Sequence, residues 1–431
     1  MTLQPDPLPP TSPTGVRVLG RRIAGFAIIP FLSLLAPFIF LPVLARVGSS
    51  DDWVAIALGQ SLGGVAALVA GFGYPTLAPP VVAASSPERR RRLLATSVHV
   101  RLPVWALAAL VAVVAAVVLA PSASRAEAIA MTAAMSLAAL APTWYWIGVG
   151  RALPIFWYEV LPRMVATLLA TAILVRQGPV IWYPVLLAVA MIAGPVVVYA
   201  RNASVELRRV DARDVRSVLR GHPTGVIAET SASVYNSLAV TLVTSVAPLA
   251  QAATFVSGDK AYRVGQYSVG SLGNALQGWV VEARESGLAR RLRVVVVLHG
   301  ALGAVGFVVF GIFGPWFTDL LFGPDVTIDR GTAWGFGVAI LGISLGTAFG
   351  RIGLITIGAR QAFMTCVVVA SAVGAAGLLV GGALWGASGA AAALGSTELL
   401  SGLAQGTVLT VLWRRRVRAG EPLLRQDGWT T

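Results

Sequence analysis

Apolar runs long enough to cross a bilayer recur twelve times in this sequence, and the basic residues between them gather at every second junction. The runs cover about residues 23–45, 53–82, 102–121, 126–148, 156–175 and 180–200, then 224–247, 251–280, 294–314, 331–357, 363–383 and 388–413. A bilayer leaves such a chain one economical fold. Backbone groups within hydrocarbon must find partners inside their own segment, so an apolar run of about 20 residues becomes a helix. Placing the N-terminus inside puts 25 of the 33 basic residues on inner segments, four (Arg46, Arg125, Arg176, Arg330) on outer ones and four within spans. That asymmetry is the positive-inside pattern, and it predicts both termini in the cytoplasm.

The expected fold class is therefore an all-α polytopic membrane protein of about 12 transmembrane helices. The longest internal polar segment, Arg201 to Pro223, divides them six and six. The predicted organisation is a disordered Pro-rich tail over 1–20, an N-lobe over 21–200, a basic cytoplasmic linker over 201–223, a C-lobe over 224–413 and a cytoplasmic tail over 414–431. Both lobes begin inside, so a repeat would be parallel. Its trace is short: Leu58-Gly59-Gln60-Ser61 and Val264-Gly265-Gln266-Tyr267 share the second helix of each half at the same offset of 206 residues. The first apolar run is too long for a signal peptide and no A-x-A-like site follows it, so it is expected to remain as the first helix. That helix contains Pro30, Pro37 and Pro42, each able to bend it.

Only 12% of the residues are charged, against 56% hydrophobic, and the mean hydropathy is +0.77. The net charge of +14 does not point to nucleic acid, because the arginines flank apolar spans. The one cysteine, Cys366, excludes a disulfide framework. His99, His222 and His299 lie too far apart in sequence for a metal motif, so neither a metal nor a cofactor is expected.

Against this background one stretch stands out. Thr254 to Glu282 is long enough to span, yet carries Asp259, Arg263 and Lys260, the only lysine beside 32 arginines. Asp259, Arg263, Gln266, Tyr267, Ser271, Asn274 and Gln277 advance by threes and fours and share one helical face. Charges at bilayer depth usually face a bundle interior or a water-filled cavity. The preceding helix has a stripe of its own: Glu229, Ser233, Ser237, Thr241 and Thr244, with Asn236 beside them. A hairpin about Pro248 brings Tyr235 and Asn236 level with Arg263. Two readings stay open, a polar cavity wall and charges or hydroxyls that only join helices. Glu159 with Arg163 and Asp259 with Arg263 are both i,i+4 pairs, and the first reads as structural. Arg351, near the inner end of helix ten, can snorkel. Lys260 and Glu398 are then the least explained charges, and Glu398 is a candidate for ion coupling.

Catalysis finds little support, and the chain is not expected to be an enzyme. The outer loops are short, and the longest, about Pro315 to Arg330, has no histidine or basic partner for its aspartates. No phosphate loop is present.

The run Leu41 to Thr76, with Pro42, Arg46, Trp53 and Phe72-Gly73, resembles the first two helices of O-antigen and polysaccharide flippases. Pro142 to Ala170, with Trp144 and Gly150-Arg151, is similar to their passage from helix four to helix five, and Ser233 to Trp279 to their seventh and eighth helices. Val54 and Gly71 depart from the family's usual Gly and Asp. The resemblance implies the multidrug/oligosaccharidyl-lipid/polysaccharide exporter fold, with two six-helix lobes around a central cavity in the plasma or inner membrane. It implies flipping of an undecaprenyl-pyrophosphate-linked oligosaccharide to the outer leaflet, with polysaccharide polymerases or other assembly proteins as further partners. For that cargo Lys260 and Arg263 would bind phosphate, and Tyr235, Asn236, Asn274 and Gln277 the sugars. Two alternatives remain: a membrane glycosyltransferase, polymerase or ligase acting on lipid-linked glycans, and a drug efflux transporter of the same fold.

Overall fold

The computed structural model describes residues 38–207, 210, 237–281 and 285–423. Within them the chain is helical throughout, without strands. The N-lobe contains α1 (Phe38–Val47), α2 (Ser50–Gly71), α3 (Tyr74–Ala83), α4 (Pro87–Leu119), α5 (Arg125–Ser136), α6 (Thr143–Val149), α7 (Leu153–Val175) and α8 (Trp182–Leu207). The C-lobe contains α9 (237–244), α10 (Leu249–Val281), α11 (Glu285–Phe322), α12 (Arg330–Leu354), α13 (360–385) and α14 (387–419). Eight helical stretches among the described residues are apolar and long enough to cross a membrane. They account for nine of the twelve expected spans, because α13 and α14 form one continuous helical stretch. The chain reverses inside it at Gly386, whose φ of 61° is open to glycine. Gly381 and Gly389 meet backbone to backbone across this hairpin. The expected eighth span is the polar α10. The first and seventh spans fall mostly, and the 201–223 linker largely, outside the described residues, as do Glu229, Pro30 and Pro37.

The structure corrects several boundaries. The expected second span breaks at Phe72-Gly73, both at positive φ (47° and 72°), and Arg90 donates to the carbonyls of Val82 and Ala83 at the end of α3. α8 continues to Leu207, into the segment expected as the linker. The third span is 33 residues long rather than 20, about 50 Å at helical rise against about 30 Å of hydrocarbon. Its first turns carry Arg89 to Arg92 as a helical projection rather than a loop. Arg101, counted among the loop cations, is buried at 1% exposure inside the lobe. There it donates to Ala139 O (2.6 Å), Ala141 O (3.3 Å) and Tyr199 Oη (2.5 Å), and lies near the Tyr74 and Trp144 rings. Between α5 and α6 the chain passes through a 3-10 turn, Leu137–Leu140, which frees carbonyls that a continuous helix would bond. Arg101 supplies their donors.

The short repeat has a packing counterpart. Gly59 lets α2 approach the backbone of α5 at Ala128 and Thr132, and Gly265 lets α10 approach Ile340 of α12. In each lobe the second helix therefore meets the fourth through the matched glycine.

At the end of the C-lobe where α11 turns into α12, Asp329 caps α12 by accepting from Thr332 N (2.8 Å) and ties in Ser388 of α14 (2.9 Å). Burial raises its pKa, but hydrogen bonds from Thr332, Ser388 and Gly331 outweigh that and hold it below the ordinary value. A depressed carboxylate stabilises the fold above its unfolded pKa, about 3.9, and loses that contribution as pH falls through the folded value. Asp329→Asn should therefore melt below wild type in detergent at neutral pH, with the gap closing as pH falls below about 4.

Candidate functional site

The site is built where the two lobes face each other. On α2, Trp53 donates to Ala253 O of α10 (3.1 Å), its ring packs on Phe322 of α11, and Ser61 bonds Thr241 of α9 (2.7 Å) and the Ser237 carbonyl. Arg46 reaches across to the Leu320 carbonyl. The Trp53 and Arg46 contacts close the end of the bundle that carries Ser50, Leu249 and Phe322, and the Ser61 contacts lie at the cavity. Deeper along the same helices, the lobes part around a cavity of about 720 Å³, a size typical of small-molecule sites.

Both lobes contribute polar groups to its wall. From α2 come Gln60 and Ser61, from α6 Thr143, from α7 Glu159, Arg163 and Thr167, from α8 Tyr183, and from α10 Lys260, Arg263 and Tyr267. The spacing 260, 263, 267 places three α10 side chains along one stripe. Arg263 is the fifteenth residue of a 33-residue helix, about 21 Å from its Leu249 end. The charges thus sit near the middle of a helix long enough to span a bilayer.

The α10 charges are not equivalent. Asp259, 2% exposed, is held beside the stripe and accepts from Arg263 Nε (2.8 Å) and Nη2 (3.3 Å). Lys260 instead donates to a neutral amide across the lobe interface, Gln60 Oε1 at 2.5 Å. The expected i,i+4 pairing is thus present for Asp259 and Arg263. It is absent for Glu159 and Arg163. Glu159 Oε2 accepts from Thr143 Oγ1 (2.5 Å), while Glu159 Oε1 and Arg163 Nε are buried without hydrogen-bond partners. Thr143 competes for the carboxylate: its hydroxyl occupies Glu159 Oε2, beside a stretch where Phe156–Val160 form a π turn.

Of the other predicted site residues, Asn274 and Gln277 lie further along α10 and are not among the cavity-lining residues; Asn274 Oδ1 accepts from Arg351 (2.7 Å). Tyr235 and Asn236 fall outside the described residues. Glu398 packs within the C-lobe, its backbone and Cβ against Gly342 of α12. Sequence reasoning gave Gln60 and Thr143 no role at the site, although Gln60 lies in the Leu58–Ser61 repeat and Thr143 in the run from Pro142 to Ala170. Their signal was weak, because a lone amide or hydroxyl in an apolar helix usually joins helices. Among the described residues no cluster of His, Cys, Asp and Glu could hold a metal ion.

No family model and no curated protein sequence matches the chain. Solved structures do. It resembles an inward-facing multidrug resistance MATE family transporter of the MOP superfamily, with a TM-score of 0.65 and 13% identity over 92% of this chain and 98% of that one. It also resembles an outward-facing multidrug resistance MATE family transporter of the MOP superfamily, with a TM-score of 0.53 and 12% identity over 95% and 99%. A third likeness is to a MATE in complex with MaL6, with a TM-score of 0.53 and 12% identity over 93% and 96%. The fold is that of the MATE-like transporters: a multi-pass membrane protein of two helical lobes about a cavity.

Proposed function

We propose that this chain is an alternating-access transporter in the plasma or inner membrane that flips a polyprenyl-pyrophosphate-linked oligosaccharide from the cytoplasmic to the outer leaflet for cell-surface polysaccharide synthesis. Solved structures with this fold include both inward- and outward-facing forms, which supports alternating access. The observation that carries the cargo class is Lys260. Arg163, Lys260 and Arg263 stand against Glu159 and Asp259 around the cavity, three cations to two acids, and Lys260 is the one whose hydrogen-bonding partner is a neutral amide. An uncompensated cation at bilayer depth is costly unless something anionic visits it. A pyrophosphate supplies that partner through charge-assisted bonds.

The contacts that join the lobes lie toward the arginine-poor end, which the positive-inside pattern makes the outer end. This fits a state that receives cargo from the cytoplasm. Export of cationic drugs is the second reading, favoured by the multidrug resistance transporters of the same fold. It predicts export that depends on the cavity acid Glu159 and not on Lys260.

Proteoliposomes decide between them. Flipping of a fluorescent polyprenyl-pyrophosphate-linked sugar, unaffected by a cationic dye, is the expected result; dye export without lipid flipping would overturn the reading. In the same assay Glu398→Gln should weaken the dependence of flipping on an imposed proton or cation gradient. Unchanged gradient dependence would remove Glu398 from coupling.

A further inference from the structure

The two walls of the cavity differ in chemistry, and the difference says how a cargo lies within it. On the α10 wall Arg263 is held by Asp259, and Lys260 is free to exchange its neutral partner for an anion. The α7 wall carries Glu159, 7% exposed, and Arg163, a carboxylate and a guanidinium that do not close on each other. One oxygen of Glu159 takes the Thr143 hydroxyl; the other, Oε1, is buried without a donor, as Arg163 Nε is without an acceptor. Buried polar atoms left unpaired destabilise the fold, more so when charged, and both belong to residues that line the cavity.

A phosphate is the wrong partner for this wall, since the Glu159 carboxylate would repel it at close range. A second cation would meet Arg163. What satisfies both atoms together is a neutral group that offers a donor and an acceptor side by side. Vicinal hydroxyls of a sugar, or a hydroxyl beside an acetamido group, have that pattern. Hydroxyls donate to carboxylates and accept from guanidinium N–H groups.

We infer that Glu159 and Arg163, oriented by Thr143 and the π turn, form a subsite for the uncharged sugar end of the cargo, facing the phosphate site at Lys260. The assignment rests on the lipid-pyrophosphate reading and deepens it. The cargo then spans the lobe interface, its phosphates on the C-lobe and its first sugar on the N-lobe.

Binding of two probes to the full chain in detergent tests this: farnesyl pyrophosphate, and the same lipid pyrophosphate carrying N-acetylglucosamine. Wild type should bind the glycosylated probe about 10-fold more tightly, a modest difference for two charge-assisted hydrogen bonds. Glu159→Ala and Arg163→Ala should each bring that ratio close to one and leave farnesyl pyrophosphate affinity within about twofold, while Lys260→Ala weakens both probes and keeps the ratio. Glu159→Gln, which retains an acceptor oxygen, should keep part of the preference; a proton- or cation-binding role would lose it altogether. Should a single variant fail to fold because its partner charge is stranded, Glu159→Gln with Arg163→Gln removes both charges, and it too should bind the two probes alike. A ratio unchanged in folded alanine variants, or in the double variant, overturns the subsite while the phosphate site stands. Wild type that binds neither probe overturns the lipid-pyrophosphate reading and the subsite with it.

Discussion

Lys260→Ala is expected to lower flipping of a lipid-linked pyrophosphate by about 30-fold or more, since truncating one partner of a buried charge pair costs about 2–5 kcal/mol and 1.4 kcal/mol is tenfold. The same variant should melt at or above the wild-type temperature. In the resting structure the ammonium has only Gln60 as a hydrogen-bonding partner, so its removal relieves a desolvation cost. Loss of function with stability retained is the signature that separates a binding residue from a structural one. Arg263→Ala tests the site less cleanly. It strands the Asp259 carboxylate, 2% exposed, and breaking a buried pair costs about 3–5 kcal/mol, so stability and transport fall together. Asp259→Asn should harm transport less than Arg263→Ala because it frees the cation, and the double variant should recover stability, as expected for coupled partners. Gln60→Leu controls for the interlobe bond itself: it removes the bond and keeps the ammonium. If Gln60→Leu reproduces Lys260→Ala in the flipping assay, Lys260 acts as a brace between the lobes and not as a ligand for phosphate.

What could be read in the sequence follows from what the bilayer enforces. The all-helical membrane fold was legible because apolar length is a local property. The cavity stripe on α10 was legible for the same reason: three charges within five residues of an apolar span have few places to go. The centre of that stripe was not. A face drawn through Asp259, Arg263 and Gln266 sets Lys260 aside, whereas the helix turns Asp259 into its own lobe and presents Lys260, Arg263 and Tyr267 to the cavity. Which of two adjacent residues faces the other lobe depends on the rotation of the helix, set by Gly258 and Gly265 against Phe336 and Ile340. No local pattern fixes that rotation. Glu159 and Arg163 keep the i,i+4 spacing of a pair, yet Glu159 Oε2 is taken by Thr143, sixteen residues away, a competing partner that helical spacing does not reveal.

The second large effect is expected at the π turn, Phe156–Val160. Gly194 of α8 faces the π turn so closely that a Cβ built on it would lie 1.7 Å from Tyr158 O and 2.8 Å from Tyr158 C. The obstructing atoms are backbone, so no side-chain rotation can make room. The glycine hydrogen in that direction points at the carbonyl, the Cα–H···O arrangement common where helices touch. Gly194→Ala must therefore push α7 and α8 apart, and overpacking of this kind costs about 1–3 kcal/mol, at times more. The residue displaced first is Tyr158, and its neighbour is Glu159. The expected outcome is a melting temperature lower by several degrees together with loss of discrimination between glycosylated and bare farnesyl pyrophosphate, since moving Glu159 by even 1 Å lengthens a hydrogen bond beyond use. Gly270→Ala is the matched control: the same substitution on α10, where a Cβ meets nothing within 4 Å, should leave both measurements unchanged. If Gly194→Ala lowers stability but keeps the preference for the glycosylated probe, the π turn is packing alone, and Glu159 does not need its present position to serve the cargo.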